Sequence, residues 1–212
     1  MDNELQLYTY FRSSASWRVR ICLNLKKLKY KSNYVNLLKQ EQKSEEYKKI
    51  NPNQVVPTLK LPDGQILSQS IAILEYLEEK FKLEYQLLPD DAIKKAQIRS
   101  VVQLIASDIH PIQNLRVLKE VGEDKKAEWA KKWITDGFKT LEILLKETAG
   151  KYCFGDQISF ADIVLVPQVY NAIRWKVDMS EFPIIVRVEK NLSLLDEFVN
   201  AHPDNQGDCP PS

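Results

Sequence analysis

The sequence predicts an α/β domain over residues 1–82, a connector at 83–90 and an all-helical domain over 91–212. Three observations carry this division. In the opening stretch an extended run is followed by a helical one, twice over. Two short extended runs then flank Pro62-Asp63-Gly64, a combination suited to a tight reversal. Beyond Pro89-Asp90, a helix-start pair, every periodic segment has the helical period.

Leu5 to Tyr10 alternate apolar and polar residues as a half-buried strand does, and Val19, Cys22 and Leu23 recur at helical spacing within Ser16 to Lys27. Tyr30 to Leu37 reads as a second strand, and the Glu- and Lys-rich stretch Gln42 to Ile50 favours a short surface helix. After the hairpin, Ile71, Leu74, Tyr76, Leu77 and Phe81 mark a helix from Ser70 that closes the first domain. In the second domain, Asp91 to Val121 forms one long helical pattern interrupted by Pro111. Trp129, Trp133, Ile134, Phe138, Leu141 and Leu145 give a second helix a wide apolar stripe, which Gly150 closes. Ser159 followed by Asp162 is a near capping box, opening an apolar helix that Pro167 must bend. Pro183 is expected to start the last helix, and the polar, Pro-rich residues 202–212 read as a mobile tail.

Thirty basic and 29 acidic residues leave a net charge of +1, so no summed field would hold the protein on nucleic acid or on an anionic membrane. Any anionic ligand must be caught locally. The first residues lack a basic segment followed by an apolar stretch, and no run approaches the roughly 20 apolar residues of a membrane span. The expectation is a cytosolic protein. Cys22, Cys153 and Cys209 stand singly, which argues against a disulfide framework and against a zinc site. With only His110 and His202, a Cys–His nucleophilic pair or a His-rich metal centre is close to excluded on supply.

The chemistry must use other groups. Ser13 and Ser14 precede a helix, where hydroxyls, unpaired backbone N–H groups and the positive helix end favour an anion; on their own they read first as plain caps. Gln69 and Ser70 start the next helix in the same way. Arg12, Arg116 and Arg174, each read alone, are surface charges.

The segment FRSSASWRVRI at 11–21 closely matches the signature of the zeta class of glutathione transferases, which also includes maleylacetoacetate isomerase and resembles bacterial maleylpyruvate isomerases. The resemblance continues through NPNQVVPTL (51–59), LSQSIAILEYLEE (67–79), DIHPIQNLRVL (108–118), GFKTLEILL (137–145) and FADIVLVPQVYNA (160–172), nearly the whole chain apart from the tail. It implies a thioredoxin-like domain that binds glutathione, followed by a helical substrate domain. Ser14 is then the donor to the glutathione thiolate and Ser13 its support. Val56-Pro57 resembles the family's cis-proline turn, which offers backbone groups to the cysteinyl part. Gln69 and Ser70 take the γ-glutamyl carboxylate, and Gln42 aligns with a glutamine used toward the glycine end. His110 is placed to orient glutathione or substrate, and Asn114 is expected one helical turn away on the same cleft. Arg12, Arg116 and Arg174 are implied partners of a cis-dicarboxylate substrate, because guanidinium forks bind carboxylates bidentately.

One position departs from the class. Where its signature has a cysteine after the two serines, this chain has Ala15, so no protein thiol stands there. The implied activity is glutathione-dependent isomerisation of maleylacetoacetate to fumarylacetoacetate in tyrosine and phenylalanine breakdown, by a cytoplasmic homodimer without a metal. Conjugation, peroxidase or α-haloacid dehalogenation work stands as a second reading, and a non-catalytic binding module as a third.

Overall fold

The computed structural model describes residues 4–82 and 85–211. It divides into two compact units, residues 1–86 together with 196–212, and residues 87–195. The first two residues of the expected connector, 83 and 84, lie outside the described residues.

The first unit is built on a four-stranded sheet of order β2-β1-β3-β4. β1 (Leu5–Thr9) buries alternate residues, as its sequence alternation predicts, and pairs in parallel with β2 (Tyr30–Tyr34). A parallel neighbour needs a crossover, which α1 (Ser14–Leu25) supplies. The hairpin forms as expected: β3 (Thr58–Lys60) runs antiparallel to β1, and β4 (Ile66–Ser68) returns antiparallel to β3. Between them Gly64 takes φ +91°, which a side chain would strain. The expected surface helix at 42–50 is shorter, a 3₁₀ turn at Glu41–Lys43 followed by α2 (Glu45–Ile50). Ser44 separates them because its hydroxyl caps α2 by accepting from Tyr47 N–H. α3 (Ser70–Lys80) packs on α1.

α1 is buried on nearly every side, with Val19, Ile21, Cys22 and Leu23 fully enclosed beside Leu7, Leu59, Ile73 and Leu77. At its end the Lys26 ammonium is also enclosed, 2.8 Å from Glu78 and donating to the Phe81 and Tyr85 carbonyls. An enclosed ammonium is tolerable only with such a full set of acceptors.

Residues 202–208 are not the mobile end that composition suggests, and Pro183 does not start the last helix. α8 (Pro183–Leu192) is followed by α9 (Asp196–Ala201) and a 3₁₀ turn at Pro203–Asn205. α9 packs on α1, and the enclosed Arg20 guanidinium holds the Ala201 carbonyl with Nε and Nη2 at 3.1 and 3.0 Å. Asp208 accepts from Phe11 N–H at 2.9 Å, Gly207 N–H donates to the Tyr34 hydroxyl, and His202 meets Trp17 edge to face. These partners lie more than 170 positions away in sequence, where a composition window cannot see them.

The second unit is helical. α4 (Ala92–Gln103) does not run on to Pro111: it widens into a π-helical segment, Leu104–Ile109, then a 3₁₀ turn at Pro111–Gln113 precedes α5 (Leu115–Val121). α6 (Lys126–Thr148) crosses the π segment at Gly137, where an added Cβ would lie 2.3 Å from Ile109 Cγ1. α7 (Phe160–Arg174) has the capping box its sequence suggests: Asp162, fully enclosed, accepts from the Ser159 and Cys153 N–H groups at 2.8 Å each. α8 has Pro183 at its first position and no cap of its own, so Glu142 on α6 reaches over to accept from Ile184 and Ile185 N–H. No helix among the described residues is long and apolar enough to cross a membrane.

Candidate active site

Register decides which motifs of the first unit meet. Tyr8 pairs with Thr58, and Thr58 with Ser68, so these residues form one row across β1, β3 and β4. Because β3 and β4 run in opposite directions, the chain leaving β1, the chain entering β3 and the chain leaving β4 all sit beyond that row. They are residues 10–14, Val56-Pro57 and Gln69-Ser70. Three segments far apart in sequence thus share one edge of the sheet.

At the exit of β1, Ser13 N–H donates to the Tyr10 carbonyl and the Ser13 hydroxyl accepts from Ser16 N–H at 3.2 Å. Ser13 is therefore the cap of α1. Ser14 is the first residue inside the helix, almost enclosed, and no acidic residue stands in the first turn to neutralise the positive end. Arg12 is half-buried with its guanidinium 5.7 Å from the centroid of the Phe11 ring.

The Val56-Pro57 bond is cis, as the resemblance implies. The turn before it is fixed by Asn51 and Tyr47, whose side chains donate to the Val55 carbonyl at 2.9 and 2.8 Å and also meet the Thr58 hydroxyl. Burial pushes the Tyr47 phenol up, so it stays a neutral donor. Gln69 is exposed at φ +72°, a conformation that disfavours any side chain, and supplies no side-chain cap to α3. Ser70, nearly enclosed, is the first helical residue, and again the first turn holds no acid. Gln42 lies on the 3₁₀ turn with an enclosed Oε1 that has no protein partner.

In the second unit, the break after the π segment positions the remaining candidates. His110 ends that segment. Asn114 is not one turn further along the same helix, as its spacing suggests, because the 3₁₀ turn intervenes; its side chain caps α5 by accepting from Arg116 N–H at 3.1 Å. The stretch between them is pinned from two sides, by Trp129 Nε1 donating to the Ile112 carbonyl and by a buried amide pair, Gln113 to Gln168 at 3.0 Å. Arg116 and Arg174 are exposed, the latter on the last turn of α7 with its guanidinium 5.0 Å from the Trp175 ring centroid.

Two enclosed arginines of α1, Arg18 and Arg20, stand outside the residues that sequence reasoning selects. The signal was present as two cations inside an otherwise core-facing helix, but spacing alone does not separate a buried arginine from a solvated one. Among the described residues no cluster of His, Cys, Asp and Glu could hold a metal ion. Burial pushes the Cys22 thiol up to about 12 and raises Cys153 as well, which leaves both unreactive at neutral pH.

Residues 12–80 match the family model described as "Glutathione S-transferase, N-terminal domain", and residues 108–203 match "Glutathione S-transferase, C-terminal domain". The maleylacetoacetate isomerase of Mus musculus is 51% identical, over 96% of this chain and 94% of its own length. Among solved structures, the maleylacetoacetate isomerase of Anaeromyxobacter dehalogenans 2CP-1 with bound GSH in its active site superposes with a TM-score of 0.90, at 40% identity over 98% of both chains. A holo maleyl pyruvate isomerase, described as a bacterial zeta-class glutathione S-transferase, gives 0.93 at 39% identity, over 97% of this chain and all of its own.

Proposed function

The chain belongs to the glutathione S-transferase family, in its zeta class, and from that premise we propose that it is a glutathione-dependent isomerase converting maleylacetoacetate to fumarylacetoacetate. The single observation that carries the reading is the shared sheet edge, where two helix N-termini without acidic residues flank a cis-proline turn.

The residues fit glutathione. Gln42 Oε1 is an unmet acceptor, Ser14 and Ser70 present hydroxyls at positive helix ends, and the Val56-Pro57 turn leads into a strand. When bound, glutathione supplies a thiolate that adds reversibly to the cis double bond, so that rotation gives the trans product. The chain's own part is to hold and polarise. Ser14 donates to the sulfur, and the positive end of α1 favours its charge. Ser13, already engaged with Ser16 N–H, fixes the turn that sets Ser14 in place. Gln69 and Ser70 hold the γ-glutamyl carboxylate, Val56 the cysteinyl backbone and Gln42 the glycine end. Arg12, Arg116 and Arg174 take the two substrate carboxylates, with His110 and Asn114 orienting. Ala15 supplies no competing nucleophile.

The test is an isomerase assay at glutathione far below the substrate concentration. Many turnovers per glutathione, with total thiol unchanged, are expected. Consumption of one glutathione per product would favour conjugation, and no turnover on maleylacetoacetate or maleylpyruvate would overturn the reading. The same proposal places the enzyme in the cytoplasm and makes it a homodimer; light scattering on the purified chain would check the oligomeric state.

A further inference from the structure

Arg18 and Arg20 stand two residues apart on α1, both shut away from solvent, and the fold provides for only one of them. Arg20 donates to the Ala201 carbonyl through Nε and Nη2, to Thr9 Oγ1 and the Tyr10 carbonyl through Nη1, and to the Phe11 carbonyl through Nη2. It is a structural cation. Arg18 makes one such bond, from Nη1 to Ser70 Oγ at 3.3 Å, while its Nε and Nη2 have no partner. Burial lowers its pKa to about 10 with no charged neighbour offsetting the effect.

An enclosed guanidinium with unmet donors destabilises a fold. Its direction of action is given by a second, independent feature. Ser70, its one partner, is the first residue of the eleven-residue α3, whose N-terminus has neither a side-chain cap nor an acid in its first turn. A buried cation and a positive helix end therefore converge on one hydroxyl. That hydroxyl accepts from Arg18, which leaves its own proton to donate away from the core, and a hydroxyl polarised in this way is a stronger donor.

We infer that Arg18 is a positioning residue for ligand, the buried cation behind Ser70 whose charge is balanced by the glutamyl carboxylate of bound glutathione. The inference rests on the glutathione reading above. In the unliganded protein the cation is a liability; in the complex the anion at the helix end compensates it through a region of low dielectric.

The experiment compares two peptides by titration calorimetry on the full chain: glutathione, and γ-aminobutyryl-cysteinyl-glycine, which lacks only the glutamyl carboxylate. Wild type is expected to prefer glutathione. Arg18→Met should lower glutathione affinity about tenfold or more, the range for losing one charge-assisted interaction. Its affinity for the analogue should change less than twofold. Without ligand, Arg18→Met should melt at or above the wild-type temperature, since a similar-sized apolar side chain replaces an uncompensated charge. Arg20→Met should instead melt well below it. Equal losses on both peptides, or an undiminished preference for glutathione, would overturn the inference. If Arg18→Met does not fold, Arg18→Gln, neutral but still a donor toward Ser70, carries the same comparison. Failure of the wild type to bind glutathione at all would instead remove the functional reading on which the inference stands.

Discussion

Ser13 and Ser14 are neighbours in sequence, yet they fall on opposite sides of a helix boundary, and their substitutions should separate cleanly. Ser13 caps α1, so Ser13→Ala should lower stability by about 1 kcal/mol, read from denaturant midpoints. Ser14 makes no cap and stands at the positive helix end. Ser14→Ala should raise the pKa of the bound glutathione thiol, and the rate should then rise toward higher pH than in wild type. The sign follows because a lost donor disfavours the thiolate, so more alkaline solution is needed to form it. Thiolate absorbance titrated against pH checks this, and an unmoved bound-thiol pKa would leave Ser14 without a catalytic role. From the residues alone the two serines were legible only as a pair, and it was the family resemblance that divided their roles, because a single residue, little more than a quarter of a helical turn, separates cap from first helical position. The two arginines of α1 show the same limit. Their spacing is visible, whereas the partners that distinguish them, Ala201 and Ser70, come from distant parts of the chain.

Among the elements, the helix expected over residues 91–121 shows where periodicity stops being informative. Apolar residues at roughly helical spacing run through the region, and in sequence Pro111 reads as its one interruption; in fact the ladder has already widened at Leu104. The widened segment lies against another element. Gly137 lets α6 come close enough that Ile109 occupies the space a β-carbon would need, and no single-helix pattern reports a neighbour's missing side chain. Gly137→Ala tests this. Alanine gains about 1 kcal/mol of helix propensity, while forcing the enclosed Ile109 aside costs roughly 1–3 kcal/mol. Net destabilisation is expected, with Ile109→Val restoring part of it, because removing one methyl group makes room. A double-mutant cycle by thermal denaturation measures that coupling, and additive effects would mean the crossing is not tight. His110 ends the π segment, so the same variant should also weaken turnover if the segment sets that imidazole.

At the scale of the whole molecule, sequence separates the two kinds of architecture correctly but not the path of the chain through them. The α/β part does not end near residue 82; it takes back residues 196–212 after the helical part is made. Removing residues 196–212 should therefore damage the first unit rather than the second. Arg20 would lose the Ala201 carbonyl, Phe11 N–H its Asp208 acceptor, and α1 the packing of Phe198 and Ala201, on the order of 3–5 kcal/mol together. Loss of glutathione binding with retained helical circular dichroism is the expected outcome, and unimpaired binding would show that the segment is dispensable. The consequence reaches back to synthesis. Residues 87–195 are contiguous and can fold as soon as they have left the ribosome, whereas the first 86 residues, although made earlier, must wait for the last to be translated. On chains arrested after Leu195, protease should spare the second unit and still cut within the first, so that the order in which the parts mature is the reverse of the order in which their first residues emerge.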